Sequence, residues 1–172
     1  KLTGTIDEVL MYDRALSPNE IQDYYYATSG PIAHLNFDAV GLRYWPTSTL
    51  NSTRTLRTYT SLAVDSNDEI HVSYYDTTNT NLNYAHFDSS SWTHSIIDSS
   101  GVGQYNSITI DSNDNVHISY YDSSNGNLNY AYFDGSSWST SAIDTMGNVG
   151  KFSSIAVDSN NDIHISYYDA AN

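Results

Sequence analysis

The chain has 172 residues, of which 39% are apolar and only 15% are charged, and its formal net charge is −14. This apolar content is sufficient for a folded core, while only six Lys and Arg residues argue against the basic surface of a nucleic-acid partner. The absence of cysteine excludes disulfides and thiolate metal sites, and no apolar run reaches the roughly 20 residues needed for membrane insertion.

Residues 1–30 have a pattern of their own. Residues 6–12 alternate as a strand, and Ser17 with Glu20 forms a capping box that predicts a short helix. The run Gly-Thr-Ile-Asp-Glu-Val-Leu-Met-Tyr-Asp-Arg-Ala-Leu-Ser-Pro-Asn-Glu-Ile, within residues 4–24, resembles the closing strand and helix of laminin-G-like, concanavalin-type jelly-roll domains. Such domains commonly bind carbohydrate or protein in large secreted and surface proteins, so the resemblance implies an extracellular, multidomain protein.

Residues 31–54 connect this segment to the repeats. His34-Leu-Asn-Phe-Asp38 echoes Tyr84-Ala-His-Phe-Asp88, which predicts the degenerate third and fourth strands of a repeat. Asn51 begins the only N-glycosylation sequon of the chain, Asn51-Ser52-Thr53. The sequon and the abundance of uncharged polar residues favour an extracellular or cell-surface location.

Residues 55–172 contain three near-copies of one motif. The pattern Asp-Ser-Asn-Asp-x-(Ile/Val)-His-(Ile/Val)-Ser-Tyr-Tyr-Asp begins at Asp65 and Asp111, and a version with Asn161 begins at Asp158. The starting points are 46 and 47 residues apart. Such a period indicates a repeat architecture, in which each unit must stack on its neighbours to bury its faces.

One repeat contains the pattern of four strands. In the middle repeat, residues 107–111, 116–122, 128–134 and 138–144 predict strands. Asn125-Gly126 predicts a type I′ hairpin turn, and the glycine-containing segment 146–151 predicts a loop.

Four antiparallel strands per repeat predict an all-β fold made of β-propeller blades, with a solenoid or sandwich as the alternative. The repeats are also similar to NHL-like and Asp-box-like propeller repeats of secreted proteins, in a broad sense. We expect two full blades and the first half of a third in residues 55–172, which is an incomplete ring. Either a longer polypeptide with more repeats or other copies of the chain would complete it.

The turn after each first strand has side-chain oxygens at alternate positions, as calcium loops do. The candidate calcium ligands are Asp65, Asn67, Asp111, Asn113, Asp158 and Asn160. However, an Ile or Val stands where an EF-hand loop has glycine, and side-chain-to-backbone turns explain the same residues. We therefore expect no required cofactor, with Ca²⁺ as an optional ligand.

Histidine and aromatic residues recur once or more in every repeat. His71, His117 and His164 are equivalent, and we expect each to be hydrogen-bonded to a nearby Ser, Asp or Tyr in the core. Aromatic rings can stack on sugars, although packing between sheets uses the same residue types. The candidate ligand-binding residues are Tyr75, Tyr121, Tyr168, Trp92 and Trp138.

The repeats lack the patterns of common hydrolases. Equal residues in every repeat do not form one unique pair of carboxylates, and there is no Gly-x-Ser-x-Gly motif. These features predict a non-enzymatic recognition or adhesion segment that binds glycans or surface proteins through repeated weak sites. The alternatives are a scaffold or filament subunit that assembles as a homo-oligomer through open blade edges, and an accessory domain of a secreted hydrolase.

Overall fold

The alternating segments form antiparallel strands in a computed structural model that describes residues 57–170. The described residues contain ten strands and no helix. The predicted laminin-G-like strand and helix of residues 1–30, the degenerate strands of 31–54 and the sequon at Asn51 lie outside the described residues.

The strands form three sheets in chain order. The first sheet comprises β1 (Arg57–Val64), β2 (Ile70–Asp76), β3 (Asn81–Phe87) and β4 (Trp92–Asp98). The second comprises β5 (Val102–Ile110), β6 (Val116–Asp122), β7 (Asn127–Phe133) and β8 (Trp138–Asp144). The third has two strands, β9 (Val149–Val157) and β10 (Ile163–Asp169). The prediction of four antiparallel strands in each of the first two repeats is confirmed.

Consecutive strands pair in every sheet, so the two four-stranded sheets are meanders and β9 with β10 is a hairpin. The register is regular between second and third strands, where His71 lies opposite His86 and His117 opposite Tyr132. Because side chains alternate across a strand, this register places equivalent residues of the two sheets on equivalent faces.

The main core lies between the first and second sheets. Strand β5 packs against β1, β2 and β3, and strand β9 packs against β5, β6 and β7 in the same way. The largest fully buried side chains include Tyr120, Leu82, Ile118 and Leu128. Strands β5 and β9 therefore each cover the sheet that precedes them.

The first strands are longer than the sequence predicted. Strand β5 begins at Val102 rather than at residue 107, and β9 begins at Val149, within the predicted loop 146–151. Both additions contain a glycine with a positive φ, Gly103 at 106° and Gly150 at 98°. A Cβ on Gly103 would lie 2.7 Å from the Cα of Leu82, and one on Gly150 would lie 2.7 Å from the Cα of Leu128. These glycines let a first strand pass directly over the third strand of the preceding sheet.

The predicted type I′ turn at Asn125-Gly126 is wrong. Such a turn needs a positive φ at both residues, and of the two only Gly126 has one, at 75°. The loop instead spans four residues, and the Asp122 carboxylate accepts hydrogen bonds from the backbone N–H groups of Ser124 at 2.9 Å and Asn125 at 3.1 Å. A side-chain acceptor therefore fixes the loop, as aspartate does in Asx turns.

Replacing Gly103 by Ala should destabilise the fold by about 3 kcal/mol, because strained backbone and overpacking add. Gly135→Ala is the matched control, since Gly135 has a φ of 87° but nothing lies within 4 Å of an added Cβ. The control should lose only the backbone contribution, about 1 kcal/mol. Urea unfolding of the two variants measures the difference, and equal losses would contradict the close approach to Leu82.

Candidate functional site

The turn aspartates accept backbone hydrogen bonds. Asp65 Oδ1 accepts from the N–H groups of Asn67 at 2.9 Å and Glu69 at 2.8 Å. Asp111 and Asp158 make the same pair of contacts in their own turns. Although partial burial acts to raise it, the hydrogen bonds from Glu69 and Asn67 lower the pKa of Asp65 on balance.

The turn interpretation of these residues is therefore confirmed. Among residues 57–170, no three His, Asp or Glu side chains are grouped as a metal site would require. One oxygen of each turn aspartate already accepts two backbone N–H groups, as in an Asx turn. Calcium binding by Asp65, Asn67 and their equivalents stays a prediction.

The histidines of the first two repeats lie in buried polar chains. His71 Nδ1 lies 2.5 Å from the hydroxyl of Tyr84, and its Nε2 lies 3.4 Å from Asp65 Oδ2. His117 repeats the arrangement, with Tyr130 at 2.6 Å and Asp111 at 3.4 Å. The expected hydrogen-bonded core histidine is confirmed at these two positions. Burial lowers the pKa of His71 and raises the pKa of Tyr84, which favours the neutral forms of both.

The third equivalent histidine has a different environment. His164 Nε2 lies 3.2 Å from Asp158 Oδ2, but its side chain is exposed, whereas those of His71 and His117 are buried. The sheet of β9 and β10 has no third strand in the described part of the chain to provide a tyrosine. The same sequence motif therefore forms the buried chain only within a four-stranded sheet.

The first sheet contains one further pair that the sequence analysis missed. His86 Nε2 lies 2.7 Å from Glu69 Oε2, and the His86 ring stacks on His71 with centroids 4.6 Å apart. The second sheet has Asn115 and Tyr132 at these positions, so the pair is not repeated. The sequence shows that Glu69 and His86 differ from the equivalent residues of the second repeat. Their contact could not be predicted from this difference, because it depends on the register of the strands.

The predicted ligand-binding residues differ in their exposure to solvent. Tyr75 and Tyr121 are only 6% and 5% exposed, whereas Tyr168 is 53% exposed. Trp92 and Trp138 are half-buried on the last strands, where each packs on a phenylalanine of its own sheet with ring centroids 5.2 and 5.0 Å apart. Trp138 also lies edge-on to Tyr84 of the first sheet, with ring centroids 5.0 Å apart, so packing between sheets describes this contact of Trp138. Trp92 contacts Phe87 of its own sheet, and of the five residues only Tyr168 presents an open ring.

A second set of aromatic residues forms a continuous row along the first strands. We call Tyr59, Tyr105 and Phe152 the aromatic row. The ring centroids of Tyr59 and Tyr105 are 4.6 Å apart, and those of Tyr105 and Phe152 are 4.5 Å apart. Each lies at a β-bulge, where two residues of the first strand oppose one residue of the second. Their φ angles are 53°, 52° and 54°. A positive φ is rare for bulky residues and costs about 1–3 kcal/mol, and the structure maintains it at the same position in all three described repeats.

The aromatic row is open at its ends and bordered by polar groups. Tyr59 is 40% exposed and Phe152 is 66% exposed. Each ring of the row has one of the predicted tyrosines beside it. The distances between ring centroids are 6.2 Å for Tyr59 and Tyr75, 6.1 Å for Tyr105 and Tyr121, and 6.3 Å for Phe152 and Tyr168.

Two hydrogen-bonding groups are close to Tyr121. Lys151 Nζ lies 5.3 Å from the centre of the Tyr121 ring, and the Tyr121 hydroxyl donates to Asn148 Oδ1 at 2.6 Å. At the other end of the row, hydrogen bonding with the Tyr105 side chain, together with burial, raises the pKa of Tyr59. The site combines ring faces with hydroxyl and amide groups and the ammonium group of Lys151, which suits a polar ligand.

Sequence reasoning missed the row although a signal was present. An aromatic residue stands six positions before the first Asp of every motif copy. Alternation alone predicts which side of a strand a residue takes, but a bulge shifts that side by one residue. The row therefore depends on a backbone conformation that the sequence pattern does not specify.

Comparisons with known proteins leave the chain without an assigned family. No protein-family profile matches it, and no curated protein is similar in sequence. Within residues 57–170, the structure has no helix that is long and apolar enough to cross a membrane.

Lowering the pH should destabilise the fold through His71. Its pKa is lowered in the folded state, so the unfolded chain binds the proton first as the pH falls through about 6.5. Stability should therefore be highest above this pH and decrease below it. Thermal unfolding at pH 7.5 and 5.5 should show a smaller difference in Tm for His71→Gln than for the parent chain. An equal pH dependence in both proteins would contradict the assignment to His71.

Proposed function

We propose that this chain is a non-enzymatic β-propeller segment of an extracellular or cell-surface protein, and that it recognises neutral glycans through the aromatic row. The observation on which the proposal rests is the row itself, three aromatic rings at strained bulges that adjoin one another. Backbone strain that recurs at one position and presents a side chain is typical of functional sites.

The propeller interpretation rests on the order and stacking of the sheets. Both four-stranded sheets are meanders, and β5 and β9 each cover the sheet that precedes them. Successive meanders that pack through their first strands are the geometry expected of neighbouring blades. In a propeller the aromatic row would run along the innermost strands, near the central channel.

The choice of ligand rests on the chemistry of the row. Ring faces bind the apolar C–H faces of sugars, and the bordering amide and hydroxyl groups can hydrogen-bond to sugar hydroxyls. The net charge of −14 repels anionic ligands, which favours a neutral polysaccharide. Equivalent rings in successive repeats would contact successive parts of one extended ligand, and linked weak contacts add in affinity.

The non-enzymatic and extracellular parts of the proposal rest on the sequence. Near-identical residues recur in every repeat rather than in one unique cluster, which favours repeated binding over catalysis at one site. The uncharged polar composition, the sequon at Asn51 and the laminin-G-like resemblance of residues 4–24 support export.

Replacing Phe152 by Gly should weaken binding of a neutral polysaccharide about tenfold, because one stacking face of roughly 1.4 kcal/mol is lost. Stability should change by less than about 1 kcal/mol, since relief of the positive φ offsets the lost contact with Tyr105. Tyr59→Gly should behave in the same way. Affinity electrophoresis in gels containing single neutral polysaccharides measures the binding.

Ile143→Ser is the matched control, because Ile143 is an exposed apolar residue on β8, the outermost strand of its sheet. It should migrate as the parent chain does in every gel. Equal retardation of the Phe152→Gly, Tyr59→Gly and parent proteins would exclude the row as the binding surface. Absence of retardation of the parent chain by any neutral polysaccharide would exclude the proposed ligand class.

A further inference from the structure

The two junctions between successive sheets use the same hydrogen bonds. Ser61 Oγ accepts from the N–H of Ile108 at 3.2 Å, and Ser107 Oγ accepts from the N–H of Ile155 at 3.3 Å. This bond joins the first strand of one sheet to the first strand of the next. Its repetition defines a fixed way in which one sheet docks on another.

A second bond joins the turns of successive sheets. The N–H of Ser66 donates to Asp114 Oδ1 at 3.0 Å, and the N–H of Ser112 donates to Asn161 Oδ1 at 3.1 Å. The donor is the second residue of the repeat motif and the acceptor is its fourth residue. Each motif therefore has a backbone donor that bonds to the following sheet and a side-chain acceptor that bonds to the preceding sheet.

A third bond starts from the second strands. Ser73 Oγ donates to Asn106 Oδ1 at 2.6 Å, and Ser119 Oγ donates to Ser153 Oγ at 3.0 Å. The acceptor residues also donate to the carbonyl of the preceding bulge, Asn106 to Tyr59 and Ser153 to Tyr105, the latter at 2.8 Å. A side chain of the following sheet therefore hydrogen-bonds to the strained bulge of the sheet before it.

The first sheet presents one half of this junction without a described partner sheet. Leu62 is 48% exposed, whereas its equivalents Ile108 and Ile155 are both 6% exposed. Val64 is exposed on the same face, and Asp68 occupies the acceptor position of Asp114 and Asn161. We call this surface of Leu62, Val64 and Asp68 the front face.

The sheet of β9 and β10 presents the other half. Ser166 is exposed, whereas its equivalents Ser73 and Ser119 are fully buried. Ser159 occupies the donor position of Ser66 and Ser112, and the exposed ring of Tyr168 replaces the buried rings of the earlier repeats. We call this surface of Ser159, Ser166 and Tyr168 the rear face.

The repeats differ in the glycines at which a first strand crosses the preceding sheet. Strands β5 and β9 need Gly103 and Gly150 because they cross the third strand of the preceding sheet. Strand β1 has no glycine, and the sheet of β9 and β10 has no third strand in residues 57–170. Strand β1 can therefore pack on a two-stranded sheet without the close approach that Gly103 and Gly150 permit.

We propose that the front face of one chain docks on the rear face of a second copy, head to tail, by the same contacts that join successive sheets. Leu62 would become buried as Ile108 and Ile155 are, and Asp68 would accept from the N–H of Ser159. The hydroxyl of Thr60, at the position of Asn106 and Ser153, would reach the carbonyl of Phe152. This contact is heterologous, so it propagates from copy to copy, and it does not depend on glycan binding.

Variants that block one face each test the proposal. Leu62→Lys removes the front face and Ser166→Lys removes the rear face, and both residues are exposed, so folding should be retained. Sedimentation analysis of the full chain should show a mass that rises with concentration from the 19.1 kDa of one chain. Each variant alone should stay at the mass of one chain. An equimolar mixture should reach twice that mass and no more, because one intact front face meets one intact rear face.

Salt dependence gives a second measurement. Association joins two chains of net charge −14, so added salt should strengthen it by screening their repulsion. A parent chain that stays monomeric at every concentration and salt level would overturn the proposal. Self-association of either single variant to the parent's extent, or a mixture that stays monomeric, would overturn it equally. Val64→Lys blocks the same front face and replaces Leu62→Lys if that variant fails to fold.

Discussion

The crossing of each first strand over the preceding sheet is the contact on which the rest of the structure depends. Strands β6 and β10 have the nearly identical sequences VHISYYD and IHISYYD. Every residue of β6 is buried, but most of β10 is exposed, because β6 has a neighbouring third strand and a covering first strand and β10 has neither in residues 57–170. Burial of this motif therefore depends on the strands around it and not on the strand sequence alone.

The same crossing explains how a strained backbone persists. Tyr59 and Tyr105 have positive φ angles, and their carbonyl groups accept hydrogen bonds from Asn106 and Ser153 of the following sheet. Neighbouring rings of the row also contact each other across the junctions. Strained conformations persist where surrounding structure determines them from several sides. The junction thus both buries the core and fixes the aromatic row.

Local patterns in the sequence predicted local structure well. Alternation located β6 and β8 to the residue, since a period of two is a direct consequence of strand geometry. The Asx turns and the hydrogen-bonded histidines also followed from residue type and spacing. These features depend on residues within one turn or one sheet, whose separations the sequence displays directly.

Features that depend on two sheets could not be predicted in this way. Gly150 was assigned to a loop and Gly103 lay outside the predicted strand, because the close approach of these glycines to Leu128 and Leu82 exists only after the sheets have docked. Tyr75, Tyr121 and Tyr168 have the same motif position, yet only Tyr168 is open. A sequence pattern assigns a residue to a face, but the neighbouring sheet decides whether that face is covered.

Phe152 links the proposed recognition to the proposed assembly. It is the last ring of the aromatic row, and it lies beside Tyr168 on the rear face at 6.3 Å between ring centroids. Docking of a second copy would place Tyr59 of that copy after Phe152, as Tyr105 follows Tyr59 within one chain. The row would then continue across the junction, and a glycan that spans it would bind the assembled form more tightly than the monomer. Thermodynamic linkage requires that such a glycan promote assembly by the same factor.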